Sequence, residues 1–280
     1  MIENKPSARE QTTEFLKQRY GEAVPIPDAL MNPVLPVLLS HRSVRAYADK
    51  PLPEGLLDMV MAAAQSASTS SNLQLWSVVA VEDKARKDRL AELCGNQKHI
   101  RDCPLFLAWL ADGSRVARAA EAQGMKAEGL DYVEAVMLAV VDAALAAQNA
   151  VVAMESLGLG IVYIGGLRNN MDKVIEELRL PPYVFGCFGM CIGWPSEDLP
   201  ASVKPRLAQP AILHRETYNA EQEAAPITAY DAILTDFQNR VGMKPVGWQP
   251  TIARRMGSVD ALTGRHRLRE IMEKAGYLMR

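Results

Sequence analysis

From Tyr132 to Leu157 the chain runs through about twenty-five residues dominated by Ala, Val, Leu and Met, and it stops at Gly158-Leu159-Gly160. At 1.5 Å per residue this predicts a helix of roughly 37 Å. Its apolar residues are not confined to one narrow stripe, so the helix must be surrounded. It is expected to be both the spine of a core and part of a subunit interface. Asp142, Gln148, Asn149 and Glu155 interrupt the run before eighteen apolar residues accumulate, which favours a core helix over a membrane span.

A chain of 280 residues with 49% apolar and 23% charged side chains can bury a full core and is expected to be globular. Thirty-one basic residues against 33 acidic ones leave a net charge of -2, so no global field gathers nucleic acid or an anionic membrane surface. Any positive site must be local. Met1 to Pro6 shows no apolar core of a signal peptide, and a cytoplasmic protein is expected. The four cysteines, at 94, 103, 187 and 191, form no CxxC pair and have no histidine at ligand spacing, so neither a metal nor a disulfide framework is expected. Cys187 and Cys191 are separated by an even number in a strand-like run, which places both on one face as small core residues.

Around the long helix, strands and helices alternate. Residues 7–20 predict a helix opened by Ser7 with Glu10 three places on and closed by Gly21. A proline-rich linker follows, and residues 1–34 read as an arm and linker. Helical spacing returns at 35–39, 53–67, 84–93 and 171–178. Leu75–Val81, Leu105–Leu110, Ile161–Ile164 and Val184–Trp194 read as strands. Residues 35–215 are the expected core domain. The rest, 216–280, is an expected helical extension, with helices at about 226–239, 249–256 and 263–276 that wrap over something rather than form a core.

Four polar clusters punctuate this pattern. His41-Arg42-Ser43-Val44-Arg45 packs cations and a hydroxyl into five residues, suited to an anion such as phosphate or to a solvated turn at a helix end. Ser68 to Gln74 is a hydroxyl-rich loop between a helix and a strand, by itself more often an ordinary connection than a place where hydroxyls and backbone N–H groups converge on a ligand edge. Gly165-Gly166 ends a strand and removes the Cβ atoms that would keep a ligand from the backbone. Lys204-Pro205-Arg206 adds two cations on a proline-bounded loop, either a second arm of an anion site or a solvated linker. No GxGxxG or GxxxxGK[ST] turn and no nucleophile-histidine-acid arrangement can be argued. With little side-chain acid–base machinery, a bound phosphorylated cofactor is expected to carry the chemistry.

In order and spacing, HRSVR (41–45), STSSNLQ (68–74), GNQKH (95–99), AQNAVVAMESLGLGIVYIGGLRNN (147–170), FGMCIGWP (188–195) and KPRL (204–207) resemble the FMN-dependent nitroreductase family. Within it they are similar to the oxygen-insensitive NADPH nitroreductase and flavin reductase P group. The resemblance covers about 35–275. It implies an α+β fold, a mixed sheet flanked by helices, with FMN at a homodimer interface and the C-terminal segment reaching over the partner.

Carried over residue by residue, the resemblance assigns His41, Arg42, Ser43, Lys204 and Arg206 to the FMN phosphate. It assigns Arg45 and Gln97 to the isoalloxazine edge, Ser70 and Leu73 to the flavin pocket, and the backbone around Ile164, Gly165 and Gly166 to the neighbourhood of N5. Ser71, Asn72 and Arg168 are expected on the substrate side. NADPH is the implied hydride donor, and nitroaromatics, quinones or flavins are the implied acceptors in a ping-pong cycle. A flavin reductase supplying reduced flavin to a partner and a non-catalytic flavin-binding protein are the alternatives. Asn72 departs from the aromatic common at that position, which puts acceptor preference in doubt. The C-terminal loop matches poorly, although Arg254, Arg255, Arg265, Arg267 and Arg269 could meet a 2′-phosphate or simply form a solvated face.

Overall fold

A computed structural model describes residues 6–21 and 24–280. In chain order the helices are α1 (Ala8–Tyr20), α2 (Val34–Leu39), α3 (Leu56–Gln65), α4 (Lys84–Leu93), α5 (Lys98–Asp102) and α6 (Ser114–Ala122). There follow α7 (Val133–Ser156), α8 (Met171–Leu178), α9 (Ala224–Arg240), α10 (Gln249–Met256) and α11 (Leu268–Lys274). The strands are β1 (Trp76–Val81), β2 (Leu105–Asp112), β3 (Gly160–Ile164) and β4 (Val184–Gly193). Two compact units result. One joins the chain up to Arg42 with Ser202–Ala261; the other joins Ser43–Ala201 with Leu262–Arg280.

The larger unit is α+β, as expected. Its sheet has the order β1-β2-β4-β3 with every named pair antiparallel. The parallel element is the bridge between Ser43 and Ile161, where the Val44 amide donates to the Ile161 carbonyl at 2.8 Å. Residues 43–48 thus run along the β3 edge and reach the end of β4, with Ala48 N–H donating to Trp194 at 2.9 Å. Every residue of β2 is buried, because a central strand is covered on both faces. Leu105, Leu107 and Trp109 face α3 and α7, while Phe106, Ala108 and Leu110 face α4 and α8.

The long apolar run forms α7 over 24 residues and is the spine of this unit. Six of its nine buried residues are alanines, at 135, 139, 143, 146, 147 and 150; the others are Asp142, Val151 and Met154. Small side chains there let the helix lie close over Leu107 and Trp109. By length and hydropathy α7 could cross a membrane, yet half of its apolar window is buried inside the unit.

Two expectations need correction. Cys187 and Cys191 lie on opposite faces: the β2/β4 register slips between Trp109 and Leu110, opposite Phe188 and Gly186, leaving Cys187 as the extra residue of a bulge. Cys187 packs beside Phe185 and Tyr277, and Cys191 beside Phe106 and Ala108. The chain end does not merely wrap over a surface. Ile271 and Tyr277 are core residues, and the Tyr277 hydroxyl donates to the Tyr183 carbonyl (2.8 Å) while accepting from Gly113 N–H (3.1 Å).

The smaller unit packs α1 against α2. α1 begins as the sequence predicts, with a reciprocal cap between Ser7 and Glu10, and ends at Gly21 in the left-handed region (φ 81°). Its inward face carries Thr12, Leu16 and, buried to 5% exposure, Arg19.

Candidate functional site

In the larger unit the turn after β3 carries Gly165 to Arg168. Gly165 and Gly166 meet different demands. A Cβ on Gly166 would collide with the Cys94 carbonyl and sit 2.7 Å from Gln97 Nε2, so this glycine exists for protein packing. A Cβ on Gly165 would have Arg168 and Arg265 guanidinium nitrogens as its nearest neighbours, at 3.7 and 3.8 Å. Gly165 is the position whose backbone stays approachable between two cations. The turn is tied to the 94–97 loop by Asn170, whose amide donates to Leu93 at 2.7 Å, and Gln97 donates to Cys94 at 2.7 Å. Arg265 is aimed by Asn169, which accepts from its Nε at 2.9 Å.

Arg45 is exposed on the segment beside β3, with its guanidinium near the Ser43 carbonyl. Its charge reaches His99, whose imidazole is pushed below the usual histidine range first by burial and then by Arg45, with Asp102 opposing. His99 Nε2 is buried and makes no hydrogen bond. A neutral ring nitrogen without a partner, two residues from Gln97, is a polar group waiting for one. In the sequence His99 is marked only as the last residue of the GNQKH motif at 95–99.

The Ser-rich loop is held separately. Asp142 on α7, only 2% exposed, accepts from Thr69 Oγ1 (2.6 Å), Ser70 N–H (3.2 Å) and Leu75 N–H (3.1 Å). Ser71, Asn72 and Gln74 take positive φ of 48°, 55° and 50°, so the carboxylate fixes a loop of left-handed residues. Ser70, Ser71, Asn72 and Leu73 all present exposed side chains from it. Arg168 is drawn inward instead, donating to the Cys187 carbonyl at the bulge, so the residue expected on the substrate side also pins β4. Ile164 is buried at the end of β3 and contributes backbone.

The smaller unit collects the other cations. Arg19 Nη2 donates to Leu39 (2.9 Å) and His41 (2.6 Å) carbonyls, and Nη1 to Lys204 (2.9 Å). Segments 39–42 and 204–206 are thereby brought together. Arg42 Nη1 donates to Ser40 at 3.1 Å, and the exposed Arg206 lines a cleft of about 570 Å³ with Tyr20, Tyr230 and Trp248. The five C-terminal arginines have separate partners, Arg254 Nε donating to the Pro250 carbonyl at 3.3 Å. Arg265 reaches Gly165, Arg267 pairs with Asp172 (3.0 Å), Arg269 pairs with Glu273 (2.9 Å), and Arg255 donates to Ala261.

Residues 38–194 match the nitroreductase family model, and residues 204–280 match the family's C-terminal domain. The chain belongs to the nitroreductase family. It is 39% identical over 251 residues to an FMN reductase [NAD(P)H] of Bacillus subtilis, covering 88% of this chain and 98% of the relative. It is 38% identical to an oxygen-insensitive NADPH nitroreductase of Salmonella typhimurium, covering 74% and 83% of the two chains. Among solved structures, the hypothetical oxidoreductase YcnD from Bacillus subtilis superposes with a TM-score of 0.84 at 38% identity, over 89% of this chain and 99% of that one. The NADPH:FMN oxidoreductase from Vibrio harveyi complexed with NAD+ gives 0.75 at 29% identity, over 89% and 100%. The nitroreductase fold expected from the resemblance is therefore the fold of this chain.

Proposed function

We propose that this chain is an FMN-dependent NAD(P)H oxidoreductase that passes two electrons to nitroaromatics, quinones or flavins. The observation that carries the reading is the unpartnered His99 Nε2 within the field of Arg45, on α5 directly after the 94–97 loop that packs against Gly166. A flavin ring needs an approachable backbone on one side and polar partners along its edge, and these residues fit that requirement. FMN, when bound, supplies hydride acceptance and donation at N5.

The chain's residues would do the rest. His41, Arg42, Ser43, Lys204 and Arg206 would hold the phosphate. Arg45, Gln97 and His99 would bond the polar edge of the ring, and a cation there favours the electron-rich state. Ile164, Gly165 and Gly166 would present backbone to N5, while Arg168 and Arg265 keep the electrostatic potential positive beside it. Ser70 and Leu73 would line the pocket, and Ser71 and Asn72 its substrate side. One pocket serving donor and acceptor in turn gives ping-pong kinetics.

The outer face of α7 supports a homodimer. Val133, Met137, Val140, Val141 and Leu145 are all exposed, at helical spacing. A second copy docked there would bring the α7-anchored Ser-rich loops near the interface. Four unpaired cysteines suit the cytoplasm.

The purified protein is expected to be yellow, to bleach anaerobically with NADPH and to recover colour with a quinone; failure to bleach with either nicotinamide overturns the enzyme reading. Arg42→Ala with Arg206→Ala is expected to give a folded, colourless protein, and stoichiometric FMN in that variant would refute the phosphate assignment.

A further inference from the structure

We infer that Arg19, on a helix outside both family-matched ranges, is a positioning residue for the phosphate grip, so that α1 tunes cofactor retention in this protein. The inference rests on the phosphate assignment of His41, Arg42, Lys204 and Arg206 made above. Both family ranges, 38–194 and 204–280, leave α1 out. Yet α1 is where the two cationic segments are joined.

The geometry is specific. Arg19 is 5% exposed, and its guanidinium donates to three backbone carbonyls: Leu39 (Nε 3.1 Å, Nη2 2.9 Å), His41 (Nη2 2.6 Å) and Lys204 (Nη1 2.9 Å). Its own carbonyl accepts from Arg206 N–H at 2.7 Å. Every segment assigned a phosphate cation in this unit is thus bonded to one residue. Pro205, between the two cations of the second segment, is held in addition by the Tyr230 hydroxyl at 2.9 Å.

Physical chemistry says why an arginine is needed. Three carbonyl oxygens converging on one point would repel one another and would repel a nearby anion; a buried planar cation with five donors reverses both effects. Lysine has three donors on a point charge and cannot reproduce the planar fork. An uncharged chain of similar length leaves the carbonyls without donors. The consequence falls on the backbone that carries His41, Lys204 and Arg206, and hence on the phosphate rather than on the ring.

The test compares FMN with riboflavin, which lacks the phosphate, by fluorescence titration of the flavin-stripped full chain. The wild type is expected to bind FMN far more tightly than riboflavin; equal affinities would overturn the underlying phosphate assignment. Arg19→Met is expected to weaken FMN about tenfold or more while leaving riboflavin unchanged. If the wild type prefers FMN and Arg19→Met keeps that preference undiminished, the role of Arg19 is refuted. Equal weakening of both ligands would also refute it, since that marks a general loss of structure. If Arg19→Met does not fold, Arg19→Lys is read on the same ratio: a reduced preference for FMN supports the inference, and an unchanged one overturns it.

Discussion

Asp142 is the buried acid on which the Ser-rich loop turns, and Asp142→Ala tests that dependence. The change removes an acceptor shared by the Thr69 hydroxyl, Ser70 N–H and Leu75 N–H. The Leu75 amide is buried, and leaving it unpartnered costs about 1–3 kcal/mol. The Ser70 amide and Thr69 hydroxyl lie nearer solvent, and losing their bonds costs about 0.5–1.5 kcal/mol each. Against this stands relief from holding a charge that is 2% exposed and accepts from neutral donors. The net expectation is a loss of about 2–3 kcal/mol, or roughly 4–10 °C in Tm for a chain of this size. Asp142→Asn keeps one acceptor oxygen but turns an NH2 toward donors, and should fall between wild type and alanine. Urea unfolding at fixed protein and FMN concentration gives the energy. Limited proteolysis should show new cleavage between Ser66 and Leu75, because the positive φ values at Ser71, Asn72 and Gln74 lose their anchor. A loss below about 0.5 kcal/mol with the loop still protected would refute the reasoning.

Gly166→Ala should cost about 2 kcal/mol or more, because its Cβ meets the Cys94 carbonyl, whereas Gly165→Ala has nothing nearer than 3.7 Å and should fold normally; equal Tm values for the two would contradict the division of roles. Tyr277→Phe removes a hydroxyl that bridges Gly113 and Tyr183, and a loss of about 1–3 kcal/mol is expected in thermal melts, with no change below about 0.3 kcal/mol counting against it. Asp112 is held below the usual carboxylate range, since bonds from Ser114 and Ser77 and the charge of Arg115 together outweigh burial, the largest single influence, which acts in the opposite direction. A depressed folded pKa means its stabilisation is present above the unfolded value near 3.9 and is lost as pH falls through the folded value. Asp112→Asn should therefore flatten the acid limb of the stability profile below about pH 4; an unchanged slope would show that other carboxylates set it.

Much of this fold was legible because local chemistry wrote it. Ser7, Glu10 and Gly21 bracket α1 through caps that involve near neighbours only, and the strands ended at the expected turns. What stayed hidden depends on partners distant in sequence. The bulge that separates Cys187 from Cys191 is a property of the β2/β4 register, invisible in β4 alone. Arg19 reads as one more basic residue of an exposed helix until Leu39, His41 and Lys204 converge on it. A signal existed: Thr12, Leu16 and Arg19 share one helical face, so the arginine sits among inward residues. Asp142 carries a similar signal, one acid in the buried face between Ala139 and Ala143, although by sequence alone it only interrupts the apolar run. In both cases the informative feature was a charged residue on the wrong side of a helix. Such a residue must find partners, and those partners belong to the candidate site.

α7 shows the same logic at the scale of a surface. A helix that only covered a sheet would put its large apolar residues inward and its small or polar ones outward. Up to Ala150, α7 does the reverse: alanines line the sheet, while Met137 (58% exposed) and Val141 (52%) look away from it; beyond Ala150 the large residues Val151 and Met154 turn inward. The inward choice is explained by Trp109 and Leu107 already filling the space beneath the helix. The outward choice has no explanation within one chain, since fully burying such a side chain is worth about 1.5–3 kcal/mol and leaving several exposed forgoes that gain. In the proposed homodimer, a second copy would supply the apolar surface that covers this face. In a chain whose Ser-rich loop hangs from the same helix, that face and the loop are positioned together by Asp142 and its alanine neighbours.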